Sequence, residues 1–347
     1  MTGALLALLL AQAAPAPAPT LSPDVAARFV QPGQAVEIEG GRKINLLCMG
    51  SGKRTVLFDA GGSDWSVIWA LVQPAVAGRA RACAYDRAGL GYSEPARGPR
   101  TPIAIVEDLH ALIHAAKLET PLVLVGHSLG GFNVKLYAAL YPEDVAGMVP
   151  VDPAEERAGE RMRAFLRKEH GASIAARTEL LDLSFFPFLV DRYRACADAA
   201  KAKPLDPSSD FYKRCSDPVR APLGPEIAAE RARIQVGAAY QEAQASEIAY
   251  SVYGDLRGDA AYKALFKRGM LGSRPLIVLT HSIYDPEDPI DVASTEGWIR
   301  LHEEDARLSS RGRRRTVPNT HHNIEIEAPQ AIVDAIGEVL NDLDMKH

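Results

Sequence analysis

Residues 121–132 read PLVLVGHSLGGF. The apolar run 121–125 is unbroken, which fits a strand buried on both faces of a sheet. Gly126-His127-Ser128-Leu129-Gly130 then gives a G-x-S-x-G. Apolar, helix-forming sequence follows as far as Tyr141 and stops at Pro142. Strand before and helix after is the context that this motif needs. Glycines permit a sharp turn that side chains would block. The turn lifts the Ser128 hydroxyl off the sheet and sets it at a helix N-terminus, where the helix dipole and the Leu129 N–H favour a developing negative charge.

Outward from this turn, strands alternate with helices. Residues 35–40 and 43–49 read as strands joined at Gly40-Gly41, followed by strands at 55–60 and 80–86. Ile105, Leu109, Leu112, Ile113 and Ala116 repeat at helical spacing within 102–118. Further strands are expected at 145–151, 275–279 and 315–317, and a last helix at 332–343. The pattern predicts an α/β fold with a mostly parallel sheet flanked by helices. Residues 155–270 break the alternation, being charged and Ala-rich, and read as an inserted helical cap. The expected organisation is a leader at 1–20, core at 21–154, cap at 155–270 and core again at 271–347. The basic run at 306–315 reads as a solvated helix end and turn.

A serine hydroxyl needs a base. Of the nine histidines, His321 and His322 lie between the last strand and the last helix, and His322 is preferred. His110 and His114 stand at i and i+4 on one helix, but a third metal ligand is not evident in the sequence, so packing is the expected role and no metal is assigned. The base needs a carboxylate to hold its tautomer. Asp152 ends the 145–151 strand; Asp285 and Asp288 follow the 275–279 strand. Asp152 is favoured, with Asp285 and Asp288 left open. Gly61-Gly62-Ser63 follows the 55–60 strand, and the Gly62 N–H is expected to join that of Leu129 as an oxyanion hole.

These residues carry a resemblance. The sequence resembles the α/β-hydrolase superfamily over roughly residues 35–155 and 270–345, in particular bacterial hydrolases with YDRAGLGYS (Tyr85 to Ser93), GHSLGG (Gly126 to Gly131) and HNIEIEAPQ (from His322). The resemblance implies Ser128 as nucleophile, His322 as base and a helical cap matching 155–270. Ala60-Gly61-Gly62 stands where many members have His-Gly. That changes a side chain of the oxyanion loop but not its backbone donors. The expected activity is a serine hydrolase acting on carboxylic esters of small or medium substrates through an acyl-enzyme, without cofactor. Amide or peptide hydrolysis, or ligand binding on the same fold, are the alternatives. Phe185, Phe186, Phe188, Tyr193, Phe211 and Tyr212 are candidates for an acyl pocket or for the cap's own core.

Composition agrees. The chain has 347 residues, 47% hydrophobic, with net charge −5. No basic excess serves a nucleic acid, and no apolar run approaches the ~20 residues of a membrane span. The apolar run 4–10, the small residues after it and the Ala/Pro stretch to residue 19 read as a secretory signal peptide and leader, pointing to a secreted or periplasmic protein. Four cysteines permit two disulfides in an oxidising compartment. Of three pairings, 48–83 with 196–215 is preferred. The superfamily's sheet order, which sets the Cys48 strand beside the Cys83 strand, also implies the first.

Overall fold

The computed structural model describes residues 21–251 and 256–345; the expected signal peptide lies outside them. Eight strands form one sheet: β1 Gln34–Ile38, β2 Arg42–Met49, β3 Thr55–Asp59, β4 Arg81–Tyr85, β5 Leu122–His127, β6 Val145–Val151, β7 Leu276–Thr280 and β8 Gly312–Thr316. Their order is β1-β2-β4-β3-β5-β6-β7-β8. β1 and β2 form the antiparallel end, and every pairing from β4 to β8 is parallel.

The central strands are buried throughout and apolar but for residues at their ends because both faces are covered. Alternate side chains point to opposite faces. Phe58, Val123, Val125, Val149 and Leu279 meet the final helix, Pro329–Asp344, through Ile332, Ile336 and Val339. Leu57, Leu122, Leu124, Met148 and Val278 meet the helix Pro102–Ala115 and the elbow helix Leu129–Leu140, through Leu109, Leu112, Phe132 and Leu136.

The basic run 306–315 begins as the expected helix end, at Ala306, and turn. Its last four residues open β8, whose sequence is GRRRT, so the strand expected at 315–317 starts at Gly312. Among the described residues this edge strand pairs with β7 alone. Its arginines reach solvent and acidic neighbours (Arg313 and Arg315 both bond Glu338), and charge on an edge discourages pairing with other chains. Among the described residues between β6 and β7, all the regular elements are helices, from Ala158–Glu169 to Leu256–Leu265. Cys48 faces Cys83 across β2 and β4 and the two are disulfide-bonded. Cys196–Cys215 joins the long helix Gly171–Ala202 to the short helix Asp210–Cys215, packed with Tyr193 and Tyr212. None of the described helices is long and apolar enough to cross a membrane. Two disulfides are compatible with an exported protein.

A buried cation ties the inserted helices to the sheet. Arg87 is 1% exposed. Its guanidinium donates to Asp59 Oδ1 at 2.7 Å, to the Ala60 and Gly61 carbonyls at 2.6 and 2.7 Å, and to Glu247 Oε1 at 2.6 Å. Glu247 lies on the helix Ala238–Tyr250 and also accepts the Ser63 N–H at 2.9 Å. Replacing Arg87 by Met strands two buried carboxylates. Urea unfolding of Arg87→Met should show a loss of about 3–5 kcal/mol; a loss under about 1 kcal/mol, the scale of an exposed ion pair, would refute this role.

Candidate active site

Ser128 stands between β5 and the elbow helix with φ 51° and ψ −118°, a conformation that costs a non-glycine residue energy. Close packing enforces the turn. A Cβ on Gly126 would lie 2.2 Å from the Gly130 carbonyl oxygen, and one on Gly130 would lie 2.3 Å from that of Asp59. The Ser128 N–H donates to the Val151 carbonyl at 3.0 Å, and its own carbonyl accepts the Ala154 N–H at 2.9 Å. The elbow is thereby stitched to the end of β6, where Asp152 follows.

Asp152 also has left-handed backbone, φ 45°, and its side chain is buried. Its Oδ2 accepts from His322 Nδ1 at 2.6 Å and from His281 Nδ1 at 2.8 Å; Oδ1 accepts the His281 N–H at 3.2 Å. Burial alone would raise its pKa, but the hydrogen bonds from His281 and His322 outweigh burial and hold the carboxyl well below the usual carboxylate range. The bond to Asp152 also raises the His281 pKa against the opposing effect of burial.

The other candidate acids lie elsewhere. Asp288 caps the helix Pro289–Ala306 by accepting the Ile290 N–H at 2.8 Å, and Asp285 accepts the Glu287 N–H at 2.9 Å; both are exposed. His321 is exposed and meets Glu327. Gly61 and Gly62 run directly against the elbow: a Cβ on Gly61 would lie 3.6 Å from Ser128 Cβ, and one on Gly62 would lie 3.7 Å from Leu129 Cδ2. Leu129 opens its helix, so its N–H has no intrahelical partner. Among the cap aromatics, Phe185, Phe186 and Phe188 line a cavity of about 1160 Å³ beside Trp298, whereas Tyr193 and Tyr212 pack around the Cys196–Cys215 disulfide.

Three groups beside the site escaped the sequence reading. His281 directly follows β7, and its place at a strand end was the available signal. His302, from the helix Pro289–Ala306, is fully buried, and burial lowers its pKa. Its Nε2 donates to the Pro153 carbonyl at 3.1 Å, leaving Nδ1 to accept from Thr280 at 2.9 Å. Glu325 is buried with neither carboxyl oxygen hydrogen-bonded. Burial raises its pKa to about 8. Its Oε1 faces His127 Nδ1 at 3.4 Å. His127, whose pKa burial lowers to about 3, is neutral, and its Nε2 donates to the His322 carbonyl at 2.9 Å.

Residues 54–282 match the model of the alpha/beta hydrolase fold family, and the chain belongs to that family. The uncharacterized Bacillus subtilis protein YqjL is 35% identical over 105 residues, which is 30% of this chain and 42% of that protein. The mouse (Mus musculus) (lyso)-N-acylphosphatidylethanolamine lipase is 33% identical over 90 residues, covering 25% of this chain and 26% of that protein. The chain thus matches less than half the length of these curated relatives. A thermophilic esterase from Thermogutta terrifontis shares the fold, with TM-score 0.54 and 20% identity over 89% of this chain and 98% of that one.

The pKa values of Glu325 and His281 are both raised in the fold, so removing either group improves stability relative to wild type as pH rises, over different windows. Glu325 keeps its proton in the fold to about pH 8 but loses it near pH 4.3, the ordinary glutamate value, when unfolded. Its cost therefore grows from that pH upward and levels off above about 8. Glu325→Gln should gain stability over wild type across that window, read by urea unfolding; a difference that does not change with pH would refute it. The raised His281 pKa contributes stability present below the unfolded value of about 6.5 and lost as pH rises through the folded value. His281→Gln should be least stable relative to wild type at acidic pH and converge with it at alkaline pH. A constant deficit would contradict this.

Proposed function

We propose that the protein is a serine hydrolase that cleaves carboxylic esters of small or medium substrates through an acyl-enzyme. The observation that carries this is the 2.6 Å bond from His322 Nδ1 to Asp152 Oδ2, on the sheet edge where Ser128 stands in its strained turn. With the proton on Nδ1, the neutral His322 ring has its lone pair on Nε2. That nitrogen takes the Ser128 hydroxyl proton as Oγ attacks the ester carbonyl, and Asp152 stabilises the imidazolium that forms. The oxyanion of the tetrahedral intermediate is received by the N–H groups of Leu129 and Gly62. Collapse expels the alcohol, which leaves with the proton from His322. Water, deprotonated by the same nitrogen, then releases the acid and restores Ser128.

His281 and His127 act through His322. The first shares its acid and the second holds its backbone carbonyl. Helices 155–270 form the cap, a reading supported by Glu247, which reaches from them to Arg87 and to the loop after β3. The lipase and esterase names among the relatives also favour ester cleavage. The signal-like residues 1–20 and the two disulfides support export to the periplasm or beyond the cell.

A fluorophosphonate probe should label the wild type and fail to label Ser128→Ala. Hydrolysis of short-chain p-nitrophenyl esters should fall by a factor of roughly 10⁴ in Ser128→Ala and by roughly 10³–10⁴ in Asp152→Asn. Labelling that persists in folded Ser128→Ala, or an Asp152→Asn variant of near wild-type activity, would overturn the assignment.

A further inference from the structure

We propose that His110, His114 and Asp144 form a site for one divalent transition-metal ion of the zinc type, remote from Ser128. The two histidines lie one turn apart on the helix Pro102–Ala115, so both face the same way. The sequence shows no third ligand near them. The fold supplies one, because the turn Pro142–Asp144 after the elbow helix brings Asp144 beneath the pair. Asp144 Oδ2 lies 3.4 Å from His110 Nδ1 and 3.8 Å from His114 Nε2, and the three ligand atoms all lie within 4.8 Å of one another.

These separations suit an ion. Zinc bonds of about 2.0–2.1 Å to nitrogen and oxygen place tetrahedral ligands about 3.3 Å apart. The chemically similar set Asp152, His281 and His322 differs in this respect. Its separations are 2.6 and 2.8 Å, hydrogen-bond lengths with a proton between the atoms.

The surroundings of Asp144 are prepared as well. Its side chain is only 9% exposed, and the Tyr137 hydroxyl donates to Oδ2 at 2.6 Å, the kind of outer contact that orients a ligating carboxylate. The His110 ring stacks on Tyr141 at 3.7 Å and 5°. Its Nδ1 lies 3.1 Å from the Tyr137 hydroxyl and would turn its lone pair to the ion instead. The His114 side chain is 58% exposed, which leaves an entry path and a fourth position for water. Two imidazoles and a carboxylate suit Zn²⁺, Ni²⁺ or Cu²⁺ better than Ca²⁺ or Mg²⁺. Tyr137 and Tyr141 lie at the end of the elbow helix away from Ser128. A bound ion there clamps that end to the helix Pro102–Ala115 and serves stability.

The test is titration of the chelator-stripped full chain with Zn²⁺ by calorimetry, and with Co²⁺ by visible absorption. The wild type should bind one ion, with a four-coordinate Co²⁺ spectrum and a melting temperature that rises to saturation. His114→Ala, altered at an exposed ring, should melt like stripped wild type and bind more than about tenfold more weakly; His114→Gln checks that result with a similar volume. His281→Ala should bind as wild type does. No saturable binding at millimolar Zn²⁺, unaltered binding by both His114 variants, or loss of binding in His281→Ala instead would each overturn the proposal.

Discussion

The contacts of the Arg87 guanidinium hold together both the fold and the site. One planar cation meets a carboxylate at the end of β3, two carbonyls of the loop that follows, and a carboxylate on an inserted helix. Desolvating such a charge is costly, and the cost is offset only when every donor finds an acceptor in good geometry. The loop after β3 is therefore tied to Arg87 through its Ala60 and Gly61 carbonyls. The same arrangement fixes where the helix Ala238–Tyr250 must sit.

A second buried cation ties the elbow helix to the segment after β6. Lys135, on the elbow helix, donates to Glu155 at 2.8 Å, Glu156 at 3.2 Å and Asp305 at 3.1 Å. Those carboxylates bracket the segment that leaves Asp152. The strained backbone at Ser128 and at Asp152 is thus held by the elbow's bonds to Val151 and Ala154 and by Lys135's grip on Glu155 and Glu156, as residues in sparsely populated conformations require. Asp152 keeps its negative charge despite burial because histidine donors surround it.

The legibility of this protein in its sequence follows interaction range. PLVLV, TVLFDA and PLIVL announced their strands because short, largely apolar runs bounded by turn residues fit strands buried on both faces of a sheet. GHSLG announced its turn because glycine spacing reports a local steric need. Local pattern places the start of the strand GRRRT three residues late because an edge strand needs no apolar face, and its pairing with β7 is a non-local fact. Three aspartates stood after predicted strands, and local pattern ranked them only loosely. Asp285 and Asp288 proved to be occupied in turns and a helix cap, while β6 carried Asp152 to His322.

The sequence by itself determined the strand–turn–helix at Ser128, the alternation behind the parallel sheet and the histidine-bearing loop near the C-terminus. Each is written in residues a few positions apart, where backbone sterics and side-chain periodicity act. Only the tertiary structure decided that His322 and His281 share Asp152, that Glu247 completes the Arg87 cluster and that Asp144 joins His110 and His114. His322 is 170 residues from Asp152, and Glu247 is 160 from Arg87. Contacts at that separation depend on how the sheet is ordered and covered, and no local pattern encodes them.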